Sequence, residues 1–348
     1  MTQKLRVALD ASHMRQSVAG IARYGRSLAT ALRKRDDIDV VELGGGDVVP
    51  RDTVRKRALT LRQDFLWYPF LGRRVAAREG AKIYHVPLPR GPLAKGNPPV
   101  VITVHDLVPL LFPDTITPWS RLYGKATLRR VLDAADRIIT VSKNTADDVE
   151  SLLGIPSERI RVVYNGVDES FFQASSETFD SRAPYVLFVG TPEPRKNLER
   201  LLEAIRITRR KGLAEELLIV GAGGWGQNTI DGAEVKQLGR VSDSDLRKLY
   251  RGASCVAVPS LHEGFGLTAL EAMASGTPVV AAHTGALPEI TGGAAVLVDP
   301  LHPAAIADGI IHCIDERAAL STAGLARAKE FTWERCAAET AAVYKELA

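Results

Sequence analysis

Two glutamates with seven residues between them, Glu263 and Glu271, bracket a glycine-rich turn in the stretch HEGFGLTALEAMASGTPVV, residues 262–280. Carboxylates are good bidentate acceptors for vicinal hydroxyls, so one could hold a ribose and the other a sugar. Gly264 and Gly266 let a backbone approach a ligand closely, and the N–H groups at a helix start suit an anion. A plainer alternative makes Glu263 a helix cap and Glu271 an exposed helix residue. A second segment, FVGTPEPRKNLERLLEAI (188–205), tips the balance. Arg195 and Lys196 stand there just ahead of a helix expected to be capped near Asn197, where adjacent cations would neutralise a diphosphate.

These residues need strands behind them. Short β-branched runs alternate with helix-period segments along the whole chain. LRVALD (5–10), KIYHV (82–86), VVITVHD (100–106), RIITVS (137–142) and IRVVYNGV (160–167) read as buried parallel strands of a first domain. YVLFVG (185–190), ELLIVG (216–221), CVAVPS (255–260), PVVAA (278–282) and AAVLVDP (294–300) repeat the scheme. Helical spacing marks 21–34 and 121–135, and Gly276 is placed to end the helix that carries Glu271. The pattern implies an α/β protein of two doubly wound domains, with ligands bound at the carboxyl ends of their strands across a cleft. The expected division is residues 1–173, a polar linker at 174–184, a second domain at 185–332, and a final helix at 333–348 that crosses back to the first domain.

Composition narrows the function classes. A chain of 348 residues, 45% hydrophobic and 25% charged, fits two globular domains. No apolar run approaches the roughly 20 residues of a membrane span, and the N-terminus has no long apolar leader, so a cytoplasmic location is expected. Cys255, Cys313 and Cys336 lack metal-ligand spacing and read as buried apolar residues. The net charge of +4 divides into +8 over residues 1–175 and −4 over the rest. Arg51 to Lys95 holds 11 basic and 3 acidic residues, interleaved with Phe65, Leu66, Trp67, Tyr68 and Phe70. That segment could dock on anionic lipid or an anionic acceptor, or be a solvated face over core aromatics. No nucleic-acid-binding motif accompanies the charge.

Taken together, the two glutamates, the Gly-Phe-Gly turn and the PRKN turn resemble the retaining glycosyltransferases of family 4, which have the GT-B fold of two Rossmann-like domains. The likeness extends over nearly the whole chain through SVAGIARYGRSLATAL (17–32), TVHDLVPLLFP (103–113), ITVSKNTADDV (139–149), VVYNGVD (162–168), IVGAGGWG (219–226) and GRVSDSDLRKLYRGA (239–253). The resemblance implies donor-binding roles. Arg195 and Lys196 would bind the donor diphosphate beside Gly190, and Glu271 would bind the ribose. Glu263 would contact the donor sugar, helped by backbone N–H groups at Gly264, Phe265, Gly266 and Leu267. Gly20 would let the backbone near the phosphates, Arg240 and Val241 would hold the base, and His105 would sit close to the transferred sugar. His105, Glu263, Arg195 and Lys196 are then the catalytic candidates, with no enzyme nucleophile.

The histidine closes the strand VVITVHD and precedes Asp106, which could orient its ring. His13 and His262 are lesser candidates. Two motifs mislead: GAGGWG (221–226) spells a dinucleotide fingerprint without its helix, and Asp243 and Asp245 spell D-x-D but cap a helix after Ser242. No cofactor and no metal are therefore expected. Within the family, VHDLVPLLFP looks most like mannosyltransferases of bacterial surface polysaccharide assembly, which favours GDP-mannose as donor and a glycan or lipid-linked acceptor. A UDP- or dTDP-sugar transferase with a soluble small-molecule acceptor, and a sugar-nucleotide epimerase of the same fold, are the alternatives. The basic segment suggests peripheral contact with the inner membrane face.

Overall fold

The computed structural model describes residues 4–14, 20–44, 59–115, 127–173, 179, 181, 183–221 and 234–348. Several sequence expectations fall outside them: residues 17–19, the basic run 51–58, the start of the 121–135 helix, most of the 174–184 linker, and 222–226 of the glycine-rich turn.

Two compact units emerge, one comprising Met1–Gly166 with Trp333–Ala348 and the other Val167–Thr332. The described residues of each form a six-stranded, wholly parallel sheet. In the first unit β1 (Leu5–Asp10), β2 (Ile38–Leu43), β3 (Ile83–Val86), β4 (Val100–Val104), β5 (Arg137–Thr140) and β6 (Ile160–Val162) run in the order β2-β1-β3-β4-β5-β6. The second holds β7 (Tyr185–Val189), β8 (Glu216–Val220), β9 (Val235–Gly239), β10 (Cys255–Val258), β11 (Val279–Ala282) and β12 (Val296–Val298) in the order β12-β11-β10-β7-β8-β9. This is the doubly wound α/β architecture of the GT-B fold, in which each unit reverses strand order beside its first strand.

Ten of the strands lie where apolar runs were expected, and two lie where none was. β2 and β9 are edge strands, and the β9 burial pattern is mostly exposed. An edge strand is not covered on both sides, so it need not carry the apolar run that marks a buried parallel strand.

Helix Trp333–Lys345 packs on helix Gly20–Arg33 and β-strand residues of the first sheet, where Tyr24, Leu28, Leu32, Trp333, Cys336 and Tyr344 share one core. Each fully buried leucine there contributes roughly 1.5–3 kcal/mol. The same helix is joined to the sheet by a buried polar chain. Tyr344 Oη lies 2.6 Å from His85 Nδ1, His85 Nε2 lies 2.8 Å from Thr103 Oγ1, and Thr103 Oγ1 lies 3.2 Å from Tyr24 Oη. Burial, and secondarily the charge of His105, push His85 down to about 3, so this imidazole is neutral at pH 7. All three cysteines are buried thiols.

Within the aromatic-basic segment, Gln63–Leu71 forms a π-helix that contains Pro69. Its apolar side chains divide between two environments. Tyr68 is buried and Trp67 Nε1 donates to Asp10 Oδ2 at 2.7 Å, whereas Phe65, Leu66 and Phe70 are each more than half exposed. Among the described residues no helix is long and apolar enough to cross a membrane.

Candidate functional site

In the second unit the carboxyl ends of neighbouring strands bring the candidate residues together. β7 runs into Gly190, whose N–H donates to Val220 O at 2.8 Å. Gly221, at the end of β8, donates to Gly239 O at 2.9 Å, and a Cβ on it would collide with the Gly190 carbonyl. Only glycine permits that approach. Arg240 and Val241 follow β9 directly, so the residues expected to hold a base share this sheet edge with those expected to hold a diphosphate.

After Gly190 the chain turns through a 3-10 segment, Pro194–Lys196, into helix Leu198–Arg210. Asn197 occupies the N-cap position of that helix, as expected, but caps it by backbone conformation alone. It adopts φ 60° and makes no side-chain cap; its Nδ2 donates to Pro259 O at 3.0 Å and Pro300 O at 2.7 Å. Left-handed backbone suits Asn better than most residues, and here its amide ties the PRKN turn to the loops after β10 and β12. A further bond, Leu261 N–H to Arg195 O at 2.8 Å, fixes the same pair of loops.

The result is an ion cluster. Lys196 Nζ lies 2.5 Å from Glu263 Oε1, and Arg195 Nη1 lies 3.4 Å from Glu263 Oε2 while donating to His262 O at 2.6 Å. Ser260 Oγ donates to Glu263 Oε1 at 2.6 Å. Burial alone would raise the Glu263 carboxyl, but the Lys196 and Arg195 charges outweigh it and hold the group at about 2. Arg195 Nε is buried without a hydrogen-bond partner, an unsatisfied donor beside two cationic heads. Glu263 is therefore ionised and positioned rather than capping a helix.

The turn beyond it is set by glycine. Gly266 begins helix Leu267–Ala274 at φ 99°, and that helix closes through Ser275 onto Gly276 at φ 71°, the expected stop. Ala286 N–H donates to Glu263 O at 2.9 Å, and Gly285 lies so close that a Cβ would come within 2.6 Å of the same oxygen. Phe265 is buried edge-on to Phe331, 6.0 Å between centroids, so its side chain anchors the loop. Glu271 is not the exposed helix residue of the plainer alternative. It is 5% exposed and accepts from Tyr250 Oη at 2.9 Å.

Ser242 caps helix Asp243–Gly252, its side chain accepting from Asp245 N–H at 3.1 Å, and Asp243 and Asp245 occupy the first turn. The D-x-D spelling is a capping pattern here. Among the described residues no group of three or more His, Cys, Asp or Glu side chains is arranged to hold a metal.

In the first unit Gly20 opens helix Gly20–Arg33, and His105 follows β4. His105 Nε2 lies 3.0 Å from Pro87 O, a carbonyl, so this nitrogen carries the proton. Tyr24 meets the ring edge-on, 4.7 Å between centroids. Burial lowers the His105 pKa, with the Pro87 bond and the Asp106 charge opposing it. Asp106, which could have oriented the ring, has Oδ1 accepting Val108 N–H at 3.1 Å, and the Pro87 carbonyl sets the tautomer. His13 is pushed down to about 4 by burial, Arg90 and His105. Nearby, buried Asp10 accepts from Ser12, Trp67 and Tyr84, and buried Asp64 pairs with Arg90.

Sequence reasoning missed Ser260, Asn197 as a loop tie, Gly285, Tyr250, and the Asp10 and His85 networks. Ser260 stands three residues before Glu263 and could have been found by local spacing. Tyr250 lies 21 residues from Glu271, a distance with no local signal.

The chain matches two family models in succession, "Glycosyltransferase Family 4" over residues 18–171 and "Glycosyl transferases group 1" over residues 183–316. It is 32% identical over 276 residues to O-antigen chain mannosyltransferase B of Escherichia coli, covering 71% of this chain and 70% of the relative. It is 27% identical over 320 residues to O-antigen chain mannosyltransferase RfbU of Salmonella typhimurium, covering 84% and 86%. Among solved structures, sucrose-phosphate synthase of Thermosynechococcus elongatus aligns with a TM-score of 0.73 at 20% identity over 99% of both chains.

Proposed function

The chain belongs to glycosyltransferase family 4, and from that premise we propose that it moves a hexose from a nucleotide-sugar to an acceptor hydroxyl with retained anomeric configuration. The observation that carries this reading is the grip of Lys196 and Arg195 on one largely buried carboxylate, with Arg195 Nε left as an unsatisfied donor. Two fixed cations that already hold an anion are built for the charge that develops on a departing diphosphate. As the anomeric C–O bond breaks, its electron pair goes to the leaving phosphate oxygen, where Arg195 and Lys196 would stabilise the charge. The acceptor oxygen bonds to the anomeric carbon on the same face, and its proton passes to the phosphate oxygen that leaves. Glu263 positions the sugar, Glu271 the ribose, and Arg240 and Val241 the base through their backbone. Gly20 and His105 are the contributions we assign to the first unit. His105, with its proton on Nε2, offers Nδ1 as an acceptor to a sugar hydroxyl. Because side-chain cations supply the charge, transfer is expected to proceed in chelator.

The mannosyltransferase names of the two relatives support mannose as the sugar, GDP-mannose as the donor and a glycan or lipid-linked acceptor. Exposed Phe65, Leu66, Phe70 and Leu71, on a helix followed by Arg73 and Arg74, support peripheral contact with an anionic bilayer. Flotation with vesicles containing anionic lipid checks this; unchanged binding after Phe65→Ser and Phe70→Ser would exclude it.

The test of the main reading is thermal stabilisation by a panel of nucleoside diphosphates and nucleotide-sugars, without metal, on the wild type and Glu271→Ala. A ligand of the folded state stabilises by about 2.7 kcal/mol at a hundredfold excess over its dissociation constant. A shift confined to guanosine nucleotides and weakened in the variant supports the GDP-mannose reading. A shift with uridine nucleotides alone overturns the donor, and no shift with any of them overturns the donor site.

A further inference from the structure

Glu271 lies in a helix whose residues 269–274 are all buried. A carboxylate in such a place stays charged only if donors compensate for its lost water. Tyr250, fully buried, supplies one of them, its hydroxyl donating to Oε2 at 2.9 Å. Tyr250 is itself immobilised. Its carbonyl accepts Thr277 Oγ1 at 2.6 Å, and its ring meets Phe171 edge-on at 5.8 Å. It also comes from helix Asp243–Gly252, which begins just after Arg240 and Val241, so one helix joins the proposed base site to the proposed ribose site.

We propose that Tyr250 is the positioning residue of Glu271: its hydroxyl fixes the carboxylate in the orientation that accepts both hydroxyls of the nucleotide ribose. This rests on the reading that Glu271 binds ribose. The Tyr250 bond engages one of the roughly four lone-pair positions a carboxylate offers and removes rotational freedom from it. Without the hydroxyl, the carboxylate is free to turn, and that change takes an acceptor away from the ribose diol.

The experiment is calorimetric binding of GDP and of 2′,3′-dideoxy-GDP, with UDP and its dideoxy form in parallel, to the wild type, Tyr250→Phe, Glu271→Ala and the double variant. The wild type should prefer the ribonucleotide by on the order of tenfold or more. Tyr250→Phe should lose most of that preference while binding the dideoxy nucleotide as the wild type does. The double variant should be no worse than Glu271→Ala, because one interaction is being removed twice. Should Tyr250→Phe fold poorly, Tyr250→His, which keeps a ring and an N–H donor, must retain more preference than Tyr250→Leu. If the wild type does not discriminate, the ribose reading itself is wrong. If it does, and Glu271→Ala abolishes the preference while Tyr250→Phe keeps it, Tyr250 is structural and the proposal is overturned. Equal weakening of both nucleotides in Tyr250→Phe overturns it too.

Discussion

Lys196 Nζ stands 2.5 Å from Glu263 Oε1, with Ser260 Oγ 2.6 Å from the same oxygen. In this structure the carboxylate thus occupies the cationic pair to which we assign the donor diphosphate. The two anions compete for the same charge, and the sign of one substitution follows. Glu263→Gln should slow transfer at least tenfold, since the positioning carboxylate is lost, yet bind the free nucleoside diphosphate more tightly than the wild type does. Calorimetry beside a transfer assay checks the pair of outcomes, and weaker diphosphate binding would show that Glu263 organises the cations instead.

Lys196→Ala and Arg195→Ala each remove a cation from the leaving-group side. Each should cost on the order of 3 kcal/mol in kcat/KM, roughly a hundredfold or more. A larger effect on kcat than on KM is expected for charge that develops only in the transition state.

Acid stability reports the same cluster. The Glu263 pKa is depressed to about 2 in the folded chain, so its contribution is fully present above the unfolded value near 4.5 and is lost as pH falls through the window down to about 2. The group is largely buried, and the contribution is about 3 kcal/mol in order of magnitude. Glu263→Gln should therefore flatten the fall in stability of the second unit between those pH values, as followed by denaturant melts.

His85 works in a higher window. As a base depressed to about 3, it binds its proton in the unfolded chain below about 6.5 but not in the folded one. Stability from this group is full above pH 6.5 and declines on acidification with a limiting slope of about 1.4 kcal/mol per pH unit. His13, lowered to about 4, adds a contribution of the same sign. Melts from pH 6.5 to 4.5 should show a shallower decline for His85→Gln than for the wild type, at a lower absolute stability, because the link between Thr103 and Tyr344 is cut.

Gly285 tests the loop geometry. An alanine there would place its Cβ 2.6 Å from Glu263 O and 2.9 Å from Glu263 N, at a φ of +57°. Gly285→Ala should lose transfer and destabilise the second unit by about 1–3 kcal/mol. Gly212→Ala, at φ +96° with nothing within 4 Å, carries backbone strain alone and should leave transfer intact. Equal activity losses in both would show that strain, not displacement of Glu263, is responsible.

Much was legible without coordinates. The buried parallel strands were visible because a strand covered on both faces must be apolar throughout, as in Val100–Val104 and Cys255–Val258. The turns were visible because a left-handed or crowded backbone demands glycine, as at Gly266 and Gly276. Arg195, Lys196, Glu263 and Glu271 stood out because their chemistry is rare beside such turns. β2 and β9 did not, because a half-covered edge strand carries no comparable pattern.

The amino-acid order therefore settled local features: the alternation of strand and helix, the turns, and the residue types at strand ends. Partnership was decided by tertiary structure. Nothing in the spacing says that Lys196 reaches Glu263, 67 residues on, or that the Pro87 carbonyl rather than the adjacent Asp106 accepts the His105 N–H. Nor does it say that Tyr250 donates to Glu271 in a buried helix. Backbone preferences act over a few residues, whereas a hydrogen bond or ion pair exists only where folding brings two atoms within about 3 Å. That proximity is a property of the packed sheets, not of the chain's order.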